Sequence, residues 1–174
     1  MKIKLNKIIG CLALVALMLG SSISVVAADY VAVAKNGNVY DEASAKYITV
    51  NQDNEDVAVI PGMVFPTSEH TPGWYKVEYS PGLHAFIPDQ ITATNLKPLA
   101  PGTFEIVNMP GHQLTAQKDG DSWVAIVEGN SFKGEKFQEI VVFLDKTNRQ
   151  AYSLVDLGNG PIAISYDNAV TKFF

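Results

Sequence analysis

His70, His84 and His112 are the side chains best suited to moving a proton near neutral pH, and beside carboxylates they could hold a metal or activate a nucleophile. Their surroundings argue against each use. His70 follows Glu69 in Ser-Glu-His-Thr-Pro, His84 follows Gly82-Leu83, and His112 stands in Pro-Gly-His-Gln, so no two histidines have metal-ligand spacing. A serine nucleophile needs a strained Gly-x-Ser-x-Gly elbow, and the chain contains none. Residues 51–56, Asn-Gln-Asp-Asn-Glu-Asp, alternate oxygen donors as part of a calcium loop does, but lack its central glycine and its terminal bidentate glutamate. The glycines fall between strand-like runs rather than ahead of a helix, which leaves no phosphate cradle. No cofactor is implied, and the chain reads as a non-enzyme.

The first 28 residues belong to export rather than to the fold. Lys2, Lys4 and Lys7 precede the apolar run Ile-Ile-Gly-Cys-Leu-Ala-Leu-Val-Ala-Leu-Met-Leu-Gly, and Val26 and Ala28 occupy the small-residue positions of a cut after Ala28. This predicts a secreted or periplasmic protein that meets a membrane only through the uncleaved leader. Cys11, the single cysteine, leaves with that segment, so the mature chain has neither a disulfide nor a thiol nucleophile. Loss of the three leader lysines leaves 10 basic against 18 acidic residues, a net charge of −8. Such a surface repels phosphate backbones and anionic headgroups, which argues against nucleic-acid and membrane-surface partners.

From Tyr30 onward, short alternating apolar runs separated by Gly, Pro, Asn and Asp predict an all-β chain. Tyr-Asp-Glu-Ala-Ser-Ala-Lys-Tyr-Ile, residues 40–48, is either a short helical turn capped by Asp41 or a loop. Pro98, Pro101 and Gly102 mark a connection, giving a leader at 1–28, a first unit at 29–95, a linker at 96–102 and a second unit at 103–174. The second unit reads as a meander of six or seven antiparallel strands forming a barrel or sandwich, with Asp119-Gly120 supplying the positive-φ residues of one hairpin turn. Both units are small enough that they are expected to pack on one another. In Trp-Tyr-Lys-Val-Glu-Tyr, residues 74–79, Tyr75, Val77 and Tyr79 form the expected core face, and Trp74 faces the other way.

The order Val-Ala-Val-Ile-Pro-Gly-Met-Val-Phe, then Gly-Trp-Tyr-Lys-Val, then Gly-Leu-His-Ala-Phe-Ile-Pro resembles the bacterial SH3-like domains of exported and cell-wall proteins. Gly62, Gly73, Trp74, Tyr75, Val77, Gly82, Phe86 and Ile87 carry the likeness, which covers residues 30–93. Residues 37–56 depart from it, being longer than the usual opening segment and lacking its arginine. The resemblance implies an SH3-like small barrel whose loops frame a shallow groove for peptides or cell-wall stem peptides. Tyr40, Tyr47, Trp74 and Phe86 are the candidate ligand-binding residues, since rings give large contact area with few rotors to freeze. The expected partner is a peptide, a cell-wall fragment or an exported protein. A contrasting reading makes the second unit the active part of an interaction subunit or enzyme inhibitor, with Trp123, Phe132, Phe137 and Tyr152 as contact candidates, core packing being the default explanation of these rings.

Overall fold

The computed structural model describes residues 29–50, 54–80, 82–148 and 150–167. The leader at 1–28 and the first half of the calcium-like stretch, residues 51–53, lie outside them. The described chain is almost entirely β-structure. A short 3-10 turn at Asp89–Ile91 provides its helical geometry, and residues 41–47 form a loop of turns and bends. Asp41 caps no helix there; its carboxylate accepts the Thr49 hydroxyl at 2.7 Å.

The first half is built on β1 (Asp29–Ala32), β4 (Val64–Thr71), β5 (Trp74–Ser80) and β6 (Leu83–Pro88), hydrogen-bonded in that order, with a two-stranded ribbon of β2 (Gly37–Asn38) and β3 (Ala58–Val59). Val31, Val33, Val39, Val59, Phe65, Val77, Ala85 and Ile87 make its core, with Tyr75 and Tyr79 packed against them. Alternation along β5 therefore places Tyr75, Val77 and Tyr79 inward and turns Trp74, Lys76 and Glu78 outward, as the sequence predicts.

The second half is a seven-stranded antiparallel meander, β7 (Gly102–Glu105), β8 (Gln113–Asp119), β9 (Ser122–Val127), β10 (Asn130–Phe137), β11 (Ile140–Asp145), β12 (Gln150–Asp156) and β13 (Pro161–Asp167). The sheet curls until its ends nearly close. Ile106, just past β7, bridges Ala163 of β13, and Val107 N–H donates to Ala163 O at 2.9 Å. Asn108 continues the seam with its side chain, Nδ2 donating to Ser165 O at 2.7 Å while Oδ1 accepts Ser165 N–H at 2.9 Å. A side-chain amide here stands in for one residue of a strand. The β8–β9 hairpin turns on Gly120 and Asp121, between the Asp119↔Ser122 pair, so the turn sits one residue later than Asp119-Gly120; Gly120 has φ +60°.

The barrel interior is solid with Leu114, Trp123, Val141, Phe143, Tyr152 and Leu154, joined by Phe132. Gly134 of β10 makes room for this, because a Cβ there would stand 2.5 Å from Phe143 Cε1. Of the four rings considered as contacts, Trp123, Phe132 and Tyr152 thus belong to this core, and Phe137 packs on Tyr30 with ring centroids 4.2 Å apart.

β11, β12 and β13 are buried on both faces. One face fills the barrel, and the other, through Ile140, Val142, Ala151, Val155, Ile164 and Tyr166, packs on Ala32 and Val64 of the first sheet. Ile-Val-Val-Phe-Leu and Ala-Tyr-Ser-Leu-Val therefore depart from the alternation expected along the chain, since both of their faces are covered and the polar Ser153 is buried with them. The Ile60–Met63 turn enters this seam. Pro61 and Gly62 hold the two central positions, Gly62 at φ +93°, and Met63 N–H closes the turn on Ile60 O at 3.2 Å. Gly62 O accepts Ser153 Oγ at 3.1 Å. The connection at 93–101 is also anchored: Leu96 packs in the seam, Leu99 against the barrel core, and Lys97 N–H donates to Asp156 O at 2.9 Å.

Candidate functional site

The outward face of the first sheet collects three of the four predicted rings. Phe86 lies opposite Lys76 across the β5–β6 ladder. On its other edge Phe86 exchanges both backbone hydrogen bonds with Tyr40, at 2.9 and 2.8 Å, which puts their side chains on the same face. Tyr40 in turn bridges Ile48, and Lys76 pairs with Glu69. The registers thus align Ile48, Tyr40, Phe86, Lys76 and Glu69 as one transverse row. Trp74 stands beside it with its ring edge-on to Tyr40, centroids 5.6 Å apart at 84°.

None of these rings belongs to a buried cluster. Tyr40, Trp74 and Phe86 are each half-buried, offering solvent an apolar ledge backed by a rigid sheet. Edge-to-face packing holds Tyr40 and Trp74 in place without hiding either ring. Ile48 and Lys76 complete the ledge, and sequence reasoning missed them. Lys76 was legible, since it shares the Trp74 face by alternation; Ile48 depends on a bridge that no periodicity announces.

Tyr47, the fourth predicted ring, is 53% exposed, and Lys46 Nζ lies 4.8 Å from its ring centroid. The backbone links it to the row, because Asp41 N–H donates to Tyr47 O at 3.0 Å, but among the described residues no ring contact joins it to the other three.

The histidines fall in three separate places. His70 Nε2 contacts both carboxylate oxygens of Asp89 at 3.0 and 3.1 Å, and its ring stacks on Tyr75 at 4.2 Å. His112 Nδ1 meets Glu128 Oε1 at 2.5 Å. His84 pairs with Glu78 across the outward face of β5 and β6. Among the described residues no three His, Cys, Asp or Glu side chains gather closely enough to hold a metal ion, and no helix is long and apolar enough to cross a membrane. A ledge of this kind can bind by ring contact and desolvation, with Lys76 and Glu69 as polar neighbours.

Comparison with family models, with curated proteins and with solved structures yields no match.

Proposed function

We propose that this is an exported, non-enzymatic binding protein whose first sheet engages an extended peptide or peptidoglycan-type chain on the Tyr40–Trp74–Phe86 ledge. One observation carries the reading: three rings distant in sequence are aligned outward on one rigid face, where they add nothing to either core. The SH3-like order of residues 57–88 and the leader-like first 28 residues support it. Ring faces suit such ligands because they match both peptide planes and sugar faces while losing little rotamer entropy. Among the described residues of the second half, Phe104, Trp123, Phe132, Phe143 and Tyr152 are taken up by the barrel core, which favours this ledge over a contact surface on the barrel.

Sedimentation with insoluble peptidoglycan, with soluble muropeptides as competitors, tests the proposal. The mature chain is expected in the pellet, and Trp74→Ala or Tyr40→Ala should weaken retention about tenfold or more at unchanged thermal stability, as central aromatic contacts do. Protein that stays in the supernatant and binds neither muropeptides nor peptides would remove the proposal.

A further inference from the structure

A second site lies between the two sheets, meeting the ledge at Glu69. The cleft there has a volume of about 630 Å³ and is walled on one side by β1 and β4 and on the other by the β10–β11 turn, with the 93–96 segment at its margin. That volume falls within the usual range for small-molecule sites, and junctions between structural units are where such sites concentrate.

The β4 wall is shaped by a bulge. Thr67 pairs with Val77, but the next register pair is Glu69↔Lys76, so Ser68 is an extra residue. The insertion reverses the alternation and brings His70 onto the face of Tyr75, where their rings stack. Thr67 Oγ1 caps the interrupted ladder by donating to Lys76 O at 2.9 Å. Asp89 then fixes the imidazole edge and also accepts Gly73 N–H at 3.2 Å. A bulge costs ladder bonds and is characteristically used to re-aim a side chain beside a site.

The opposite wall also departs from the cheapest geometry. Gln138, first residue of the two-residue turn between Phe137 and Ile140, has φ +53°, a conformation that favours glycine. A two-residue hairpin turn requires such a φ at its first position, and Glu128 at φ +50° meets the same demand in the β9–β10 turn. Beside it, Glu139 Oε1 receives Lys136 Nζ at 3.3 Å, whereas Oε2 is shielded from solvent with no hydrogen-bond partner among the described residues. A shielded carboxylate oxygen left unpaired calls for a donor, best a cationic one.

The remaining lining fixes the ligand class. Among the described lining residues Glu69 and Glu139 carry negative charge and none is lysine or arginine, Lys136 standing on Glu139 Oε1 outside the lining. Burial, and secondarily the Glu135 carboxylate, push the Tyr30 phenol up to about 12, so that it adds a neutral ring and hydroxyl. Tyr30 and Tyr75 line the cleft with rings already packed on Phe137 and His70, and Asn95 and Gln138 supply amides. We infer that this cleft binds an organic cation of amino-acid size, carrying an ammonium or guanidinium group that pairs with Glu139.

Calorimetric titration of the full mature chain with arginine, lysine, an alkyl diamine and the tripeptide Gly-Lys-Gly tests this, with glutamate and leucine as controls. At least one cation should bind while glutamate and leucine do not; preference for the tripeptide or for the free amines identifies a peptide side chain or a metabolite as the source. Glu139→Gln should weaken binding about tenfold, the loss of one charge-assisted bond. Gln138→Gly should raise the melting temperature while weakening binding, an opposition that a purely structural turn would not show. Trp74→Ala should leave cation binding intact, so the ledge and the cleft stand or fall separately. Equal binding of glutamate or leucine, an unchanged affinity in Glu139→Gln, binding of calcium in place of the organic cations, or no binding of any cation would each overturn the inference.

Discussion

Ser153 Oγ and Tyr166 OH lie 2.9 Å apart in the buried seam between the two sheets, and together they tie the halves by hydrogen bonds. Tyr166 OH accepts the backbone N–H of Val64 at 2.5 Å, and Ser153 donates onward to Gly62 O. Two hydroxyls of the second half thus satisfy backbone groups of the first. Burial pushes the Tyr166 phenol far above its ordinary pKa, against the lesser opposing effect of its bonds to Ser153 and Val64, so it stays neutral.

Tyr166→Phe leaves the Val64 N–H buried without this acceptor. An orphaned backbone donor costs about 1–3 kcal/mol. Since 1 kcal/mol shifts the melting temperature of a chain of this size by about 2–4 °C, thermal unfolding of the variant should begin several degrees lower. An unchanged midpoint would mean that the seam holds by apolar contact alone.

Gly62 and Gly73 form a matched pair for measuring how tightly the seam is packed. Both follow a proline in a turn, at φ +93° and +91°. A Cβ on Gly73 meets nothing within 4 Å, whereas one on Gly62 would stand 2.6 Å from Ile162 Cγ2. Alanine at either site bears the backbone penalty, and alanine at Gly62 adds overpacking of about 1–3 kcal/mol. Denaturant titration should therefore find Gly62→Ala clearly less stable than Gly73→Ala; equal losses would show that the seam yields.

The two tryptophans should report opposite environments. Trp123 is 2% exposed in the barrel core and Trp74 is half-exposed on the ledge. Acrylamide should quench part of the native emission, and Trp74→Phe should leave a blue-shifted, quench-resistant spectrum from Trp123. Quenching that survives the substitution would place Trp123 in contact with solvent.

Asp145 should make the β11–β12 loop sensitive to acid. Burial works to raise its pKa, but the backbone N–H and side-chain amide of Asn148 and the backbone N–H of Thr147 outweigh it and hold the carboxyl below the ordinary aspartate value. A lowered folded-state pKa gives stability that is present above the unfolded value, about 3.9, and is lost as pH falls through the folded one. Asp145→Ala should cost about 1–3 kcal/mol at neutral pH, with the gap to the natural chain narrowing below about pH 4. A gap independent of pH would sever the loss from the charge.

How much of this was legible in the sequence depends on the range of the interaction. Ser-Trp-Val-Ala-Ile-Val displays its period of two, and β9 buries Trp123, Ala125 and Val127 accordingly. The alternation that sets Trp74 apart from Tyr75, Val77 and Tyr79 put half of the ledge within reach, and the SH3-like order directed attention to Phe86. The turn at Gly120 was displaced by one residue, because Asp119 pairs with Ser122 instead of turning. What composition and periodicity could not show was pairing across distance: the bulge at Ser68 leaves no mark in a string of polar residues, and Asp89 reaches His70 across 19 positions. β11 and β12 were expected to alternate like the other runs; their burial on both faces rests on the first sheet packing against them, which periodicity could not show.

That two-sided burial binds the fates of the halves. β11 to β13 act as a party wall: parted at the 93–101 connection, each half would present raw greasy surface to water, the first beside Val64 and the second along Val142, Val155 and Ile164. Neither is free to be shuffled onto other proteins as an interchangeable cassette, and changes in one are answerable to the shape of the other.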